Sequence, residues 1–192
     1  INDTKNDIIL NSDFEKLYNA FCPGPITFVL KKNKKSKISK IATVGKKTLA
    51  VRFPKHPVVV NLLKILKLPL AAPSANISSK ISPTSARDVV EEFGNKVKLI
   101  LDGGKCKIGL ESTIINLTGK PTILRPGYIT ANEIKKVLKK NVKIKKNTKK
   151  IRVPGQLKLH YSPGIPVRLN IKIPKKNEAY IQFSNKKKNK NY

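Results

Sequence analysis

Arg52 and Arg125 each close an apolar run, TLAVR before Phe53-Pro54 and PTILR before Pro126-Gly127. A guanidinium at a strand end can grip a carboxylate or a phosphate through two parallel hydrogen bonds. Hydroxyl-bearing turns accompany these arginines. Ser74 and Asn76 flank Ala75 in LAAPSANISS, and Glu111-Ser112-Thr113 follows Gly109. Small residues let a ligand approach the backbone, and hydroxyl and amide groups donate to anionic oxygens. A helix opening near Ser82-Pro83-Thr84 adds amides that favour an anion. Each feature alone is equally an ordinary turn or half of a surface ion pair. Together they suit a site that holds a small anionic substrate beside a triphosphate. Its work would be positioning and charge neutralisation, with no protein nucleophile.

Other chemistries have little to run on. There is no phosphate-binding GxxxxGK[ST] loop and no GxGxxG. His56 precedes a helix-like run and His160 sits in a Pro/Gly-punctuated stretch, so no Ser/His/Asp triad forms. Cys22 and Cys106 make neither a disulfide framework nor a metal-ligand spacing, and either suits a small buried apolar position. The 192 residues carry 41 Lys+Arg against 11 Asp+Glu, a net charge of +30. That surplus favours nucleotides, RNA or acidic surfaces as partners. A lysine-, asparagine- and isoleucine-rich composition also reads as a genome's bias. No apolar run reaches bilayer length and no signal peptide is visible, which predicts a cytoplasmic protein without a membrane partner.

The positioning elements read as alternating helices and strands. Ser12-Asp13-Phe14-Glu15 is a capping-box pattern heading a helix stopped by Cys22-Pro23-Gly24-Pro25. Strands are expected at Ile26–Leu30, Thr48–Phe53, Leu70–Ala72, Val97–Leu101, Ile114–Leu117 and Thr122–Arg125, with Lys31–Lys47 as a basic loop between the first two. His56-Pro57 opens a second helix, Pro83 belongs to the first turn of a third that ends at Gly94, and Thr130 with Glu133 caps a fourth running to about Lys140. Hairpin signals mix with crossovers, so the fold class is α/β with a twisted, mixed sheet flanked by helices. The domain is expected over residues 1–140 and a linker over 141–166. A partial small domain with a disordered basic tail follows over 167–192, with short strands at Val167–Ile171 and Ala179–Phe183.

Six segments in order, CPGPITFVLKK, TLAVRFPKHP, PLAAPSANISSKISPTSARDV, LILDGG, GLESTIINLTG and PTILRPGYIT, resemble the threonylcarbamoyl-AMP synthases of YrdC-like fold. The match spans roughly Phe21 to Glu133, and several long motifs in sequence make it specific. PGQLKLHYSP resembles the linker of the longer members, which continue into a smaller domain. The resemblance implies a nucleotidyltransferase that joins L-threonine, bicarbonate and ATP into threonylcarbamoyl-adenylate and releases pyrophosphate. A partner transferase then modifies tRNA. Carried over by position, Thr48, Ser74, Asn76, Ser82, Arg125 and Tyr161 correspond to ATP-binding residues. Arg52, Ala72 and Ser112 correspond to threonine-binding ones. Mg2+ is the expected companion of the triphosphate, and tRNA or double-stranded RNA a further partner. No catalytic base is identified.

Family members also carry Thr-x-Tyr-Gly-Leu and Lys-x-Arg elements, and nothing before Phe21 resembles them. The chain starts at Ile1 and has no Met. The expectation is an N-terminally truncated YrdC-like domain whose first part is lost, separately encoded or misannotated. Such a chain would expose unpaired sheet edges and apolar surface, and alone would be weakly active or inactive. Two other readings stay open. One is a non-catalytic RNA- or nucleotide-binding remnant of the fold. The other is a domain of a larger carbamoyltransferase, against which the HYSP linker speaks.

Overall fold

The computed structural model describes residues 4–78, 80–145 and 165–181. Its first helix, α1 (Ser12–Phe21), is capped one residue before the expected Ser12. The Asn11 side chain accepts from the Phe14 amide at 2.9 Å, and its own NH2 donates to the Leu117 carbonyl at 2.9 Å. An Asn amide both caps and ties the helix start to the sheet, a double task that a hydroxyl at Ser12 does not perform. Buried Phe14 and Leu17 make up the inner face of α1.

Among the described residues five strands form one sheet in the order β2-β1-β3-β4-β5. They are β1 (Ile26–Lys31), β2 (Thr48–Arg52), β3 (Thr113–Asn116), β4 (Thr122–Arg125) and β5 (Lys143–Ile144). The β1–β2 and β3–β4 pairs are antiparallel, and β1–β3 and β4–β5 are parallel. The sheet is therefore mixed, as the sequence predicts. Along β1 the period of two is strict: Ile26, Phe28 and Leu30 are fully buried, and Thr27 and Val29 point to the other face. Helix α5 (Ala131–Leu138) contributes Ile134 and Leu138 to the same core as Phe14, Leu17, Phe28 and Ile115. Phe14 meets Phe28 edge to face at 5.0 Å. One face of the sheet is thus covered by α1 and α5. The predicted Thr130–Glu133 capping box is present in full.

Between Val44 and Glu111 no described residue is buried. This section holds α3 (Pro57–Leu66), which His56 caps as expected, and α4 (Ala86–Phe93). A short helix α2 (Lys40–Thr43) interrupts the predicted basic loop before it. Helix α4 starts later than predicted. Ser85 is its cap, and Asp88 completes a capping box, so Pro83 lies outside the helix. Gly94 ends it with φ of 52°, which suits glycine. Leu70–Ala72 and Val97–Leu101 are not strands. A strand exists only where a neighbour takes its backbone hydrogen bonds, and neither segment has a ladder partner among the described residues. β5 is a strand that the sequence did not announce; it is two residues long and exposed.

Contacts divide the chain into Ile1–Ser162 and Pro163–Tyr192. In the second unit the described residues are irregular, and Arg168 pairs with Glu178 at 2.5 Å. The strand expected at Val167–Ile171 is absent, and so is any strand in the described part of Ala179–Phe183. His160, Tyr161, most of the 141–166 stretch and the basic tail lie outside the described residues. No helix among the described residues is long and apolar enough to cross a membrane.

Candidate functional site

The site is built on the sheet face that α1 and α5 leave open. Thr27 of β1 pairs with Arg52 of β2, so both side chains share the face opposite Ile26 and Phe28. Thr27 also pairs with Ile114 of β3. On β4 the register shifts: Ile115 pairs with Ile123, but Ile114 pairs with Arg125. Leu124 is the extra residue of this bulge. In a regular strand residues 123 and 125 would share a face; the bulge reverses that. Ile123 is therefore in the core at 1% exposure, and Arg125 stands on the open face beside Thr27 and Arg52.

Arg125 is held tightly. Its Nη2 donates to the Ser112 carbonyl at 2.9 Å and to Ser112 Oγ at 3.0 Å, and its Nε donates to the same carbonyl at 3.2 Å. Ser112 Oγ is 2.9 Å from Thr27 Oγ1. Glu111 Oε2 lies 3.4 Å from Arg125 Nη2, and Glu111 Oε1 accepts from Ser82 Oγ at 2.7 Å. Gly127 supports this strand entry by close approach. A Cβ there would come within 2.4 Å of the Glu111 carbonyl oxygen and 2.5 Å of the Thr113 nitrogen, so only glycine fits. Thr113 is fixed in turn, its amide donating to the Pro25 carbonyl at 3.0 Å and its buried hydroxyl to the Ile129 carbonyl at 2.7 Å.

Arg52 is solvent-exposed as a residue, yet protein around its guanidinium lowers its pKa by desolvation. Glu111 pulls the pKa back up, and Arg125 pushes it further down. Arg52 thus feels both Glu111 and Arg125, in keeping with the register that sets Arg52 and Arg125 on one face. Two cations and several hydroxyls at one strand end, with a single carboxylate between them, can receive an anionic ligand.

The structure therefore brings Arg52, Ser82, Ser112 and Arg125 together. It does not bring Thr48 with them. Thr48 shares their face but pairs with Lys31, four residues along β2 from Arg52 and about 13 Å away at the usual strand rise. Ala72 and Ser74 are exposed in irregular chain. Asn76 bonds locally, donating to the Ile77 carbonyl at 2.9 Å and the Lys80 carbonyl at 3.2 Å, and its Oδ1 is buried without a partner among the described residues. No hydrogen bond or ion pair among the described residues links Ala72, Ser74 or Asn76 to the arginine cluster. Thr27 and Glu111 were not foreseen as part of the site. The signal for Thr27 was its outward parity in ITFVLK; Glu111 gave none beyond lying next to Ser112.

Two other reactive side chains, His56 and Cys22, are otherwise accounted for. His56 Nδ1 accepts from the Val58 amide at 3.3 Å, which leaves Nε2–H to donate to the Gly103 carbonyl at 3.1 Å. Burial pushes the Cys22 thiol up to about 11, so it stays protonated at neutral pH. A hollow lined by Ile9, Leu10, Asn11, Lys31, Leu117 and Thr118 lies at the opposite end of the sheet and gathers no such cluster. Among the described residues no group of three or more His, Cys, Asp or Glu side chains could hold a metal ion. Glu111, the carboxylate of the cluster, is already engaged by Arg125 and Ser82. The chain's described residues thus do not fit a magnesium cage.

Comparison with known proteins agrees with this architecture. The Sua5/YciO/YrdC family model, described as "Telomere recombination", matches residues 2–127. The model of the threonylcarbamoyl-AMP synthase C-terminal domain matches residues 129–192. The threonylcarbamoyl-AMP synthase of Pyrococcus abyssi is 42% identical over 159 residues, covering 80% of this chain and 46% of the relative. That of Schizosaccharomyces pombe is 48% identical over 121 residues, covering 62% of this chain and 30% of the relative. The chain thus spans less than half the length of either. The crystal structure of P. abyssi Sua5 complexed with L-threonine superposes with a TM-score of 0.78 at 38% identity, covering 84% of this chain and 49% of that one. The family match takes in well over half of the chain, every strand of the sheet but β5, and all the residues of the arginine cluster: this chain belongs to the Sua5/YciO/YrdC family.

Proposed function

We propose that the chain serves in threonylcarbamoyl-AMP synthesis, with L-threonine, bicarbonate and ATP as substrates. The observation that carries this reading is the meeting of Arg52, Ser112 and Arg125 at one end of the open sheet face. The amine of threonine takes up bicarbonate as a carbamate, with loss of water. A carbamate oxygen attacks the α-phosphorus of ATP, the bond to the β-phosphate bridging oxygen breaks, and pyrophosphate leaves. No step needs a protein nucleophile, so the chain's part is to bind, orient and neutralise charge.

Arg125 and Ser82 take the nucleotide side, joined by Thr48, Ser74, Asn76 and Tyr161. Arg52, Ser112 and Ala72 take the threonine side. Arg52 suits a carboxylate because its guanidinium keeps its donors free of any hydrogen bond among the described residues. Mg2+ would arrive on the triphosphate oxygens and water. The product passes to a tRNA-modifying transferase in the cytoplasm. A net charge of +30 supports contact with tRNA or double-stranded RNA.

Pyrophosphate release by the purified chain tests the reading. Weak release that needs ATP, L-threonine and bicarbonate together is expected. The same charge favours a second reading, non-catalytic RNA or nucleotide binding. RNA binding that falls steeply with salt, with no release under any substrate combination and no binding of L-threonine, would replace the first reading with the second.

A further inference from the structure

Glu111 poses a problem of charge. An anion site that keeps a carboxylate beside its two arginines weakens its own attraction for a phosphate. The carboxylate is nevertheless well placed and only partly exposed. Oε1 holds the Ser82 hydroxyl at 2.7 Å, and Oε2 lies 3.4 Å from Arg125 Nη2, whose side chain is 13% exposed. Ser82 belongs to the irregular segment before α4, and Arg125 ends β4. No other side chain among the described residues is hydrogen-bonded or ion-paired to both.

Resting on the synthase reading, we propose that Glu111 is a positioning residue for the nucleotide: its carboxylate fixes the Ser82 hydroxyl and the Arg125 guanidinium so that both reach the same ligand. The Nη2 of Arg125 is shared among Glu111, the Ser112 carbonyl and Ser112 Oγ. Two hydrogen bonds and an ion pair at one nitrogen restrict how that guanidinium can turn. Without Glu111, Ser82 loses its tether to the sheet, because no described residue flanking it is buried. Arg125 would keep its bonds to Ser112 but lose its third anchor. The threonine side, Arg52 and Ser112, depends on Thr27 and the strand register and is much less affected.

The sign of a charge-removing substitution decides the matter. If Glu111 were only a counterion damping repulsion between Arg52 and Arg125, its loss would strengthen anion binding. If it positions donors, its loss weakens it. Titration calorimetry of the full chain with ATP and separately with L-threonine, at fixed ionic strength, reads both. Glu111→Ala should weaken ATP about tenfold and L-threonine less than about twofold. Glu111→Gln keeps an acceptor for Ser82 and should recover ATP affinity to within about threefold of the unsubstituted chain. A Glu111→Ala chain that binds ATP as tightly or more tightly overturns the proposal. So does an equal fall for both ligands, which would mark a general structural role. If the unsubstituted chain binds neither ligand, the synthase reading itself fails and takes this role with it. Binding of both ligands with ATP indifferent to residue 111 removes the positioning role alone.

Discussion

Two regions of the first unit are held together in opposite ways. The layered part, Ile8–Arg52 with Ser112–Ile144, has α1 and α5 packed on a five-stranded sheet and contains every buried hydrophobic residue among the described ones. The section Phe53–Glu111 contains none among its described residues. It is not short of apolar residues: Ile65 is 78% exposed, Leu68 66% and Leu99 76%. What shapes it is local hydrogen bonding. His56 caps α3, Ser85 and Asp88 close a capping box on α4, the Cys106 amide donates to the Thr84 carbonyl at 2.7 Å, and the Ile77 amide donates to Glu92. A hydrogen bond in reach of water contributes little net stability, whereas burying a large apolar side chain contributes about 1.5–3 kcal/mol. The candidate site straddles the boundary. Arg52, Ser112 and Arg125 stand on the layered part, and Ser82 on the other.

Hydrogen exchange gives the largest expected contrast. Amides of β1 and β3 should open only with global unfolding, whereas those of α3 and α4 open locally. Protection should differ by at least about a hundredfold between the two sets. Equal protection would mean that the two regions unfold as one, and the division drawn above would be lost.

Side-chain truncation sharpens the same contrast energetically. Phe28 is fully buried and stacked edge to face on Phe14, so Phe28→Ala should cost about 3–5 kcal/mol in a denaturant titration. Ile65→Ala removes a residue of similar hydrophobicity from an exposed helix face and should change stability by less than about 0.5 kcal/mol. A cost at Ile65 approaching that at Phe28 would show that α3 is packed in solution.

The same division explains what could be read in the sequence. Helix signals are local, and they were realised in both regions: His56-Pro57, Gly94 and the Thr130–Glu133 box all act as read. Where helix starts shifted, at Asn11 and Ser85, a neighbouring polar side chain made the better cap. Strand signals are not local. ITFVLK and TLAVR became strands because each found a partner in register. Leu70–Ala72 and Val97–Leu101 have equally apolar sequences and no partner among the described residues, and they stayed irregular. The site follows the same logic. Arg52 and Arg125 were legible as strand-end arginines. Their common face was not, because it depends on the register shift at Ile114/Ile115, which no residue type announces. Glu111 owes its role to contacts with Ser82 and Arg125, distant in sequence on both sides, so a reading of neighbours passes it over.

The smallest effect separates two equivalent caps. Thr130 and Ser85 make the same box, each hydroxyl accepting from the amide three residues on, at 3.3 and 3.2 Å. Helix α5 buries Ile134 and Leu138, so Thr130→Ala should lower global stability by about 1 kcal/mol. Helix α4 buries nothing, so Ser85→Ala should fray that helix and leave the global denaturation midpoint where it was. Acid titration adds a check on sign. Hydrogen bonds from Thr130 hold the Glu133 carboxyl below its ordinary value, and those from Thr84 and Ser85 do the same for Asp88. A carboxyl depressed in the folded state contributes stability above its unfolded pKa, about 4.3 for Glu, and that contribution is lost as pH falls through the lower folded value. Thr130→Ala removes the larger, side-chain hydrogen bond behind that depression and keeps the one from the residue 130 amide, so the gap between the two chains should be widest at neutral pH and narrow as the solution becomes acid. A gap that widens in acid would mean that Glu133 does not cap α5 as a carboxylate. A global loss from Ser85→Ala equal to that from Thr130→Ala would place α4 within the same cooperative unit as the sheet.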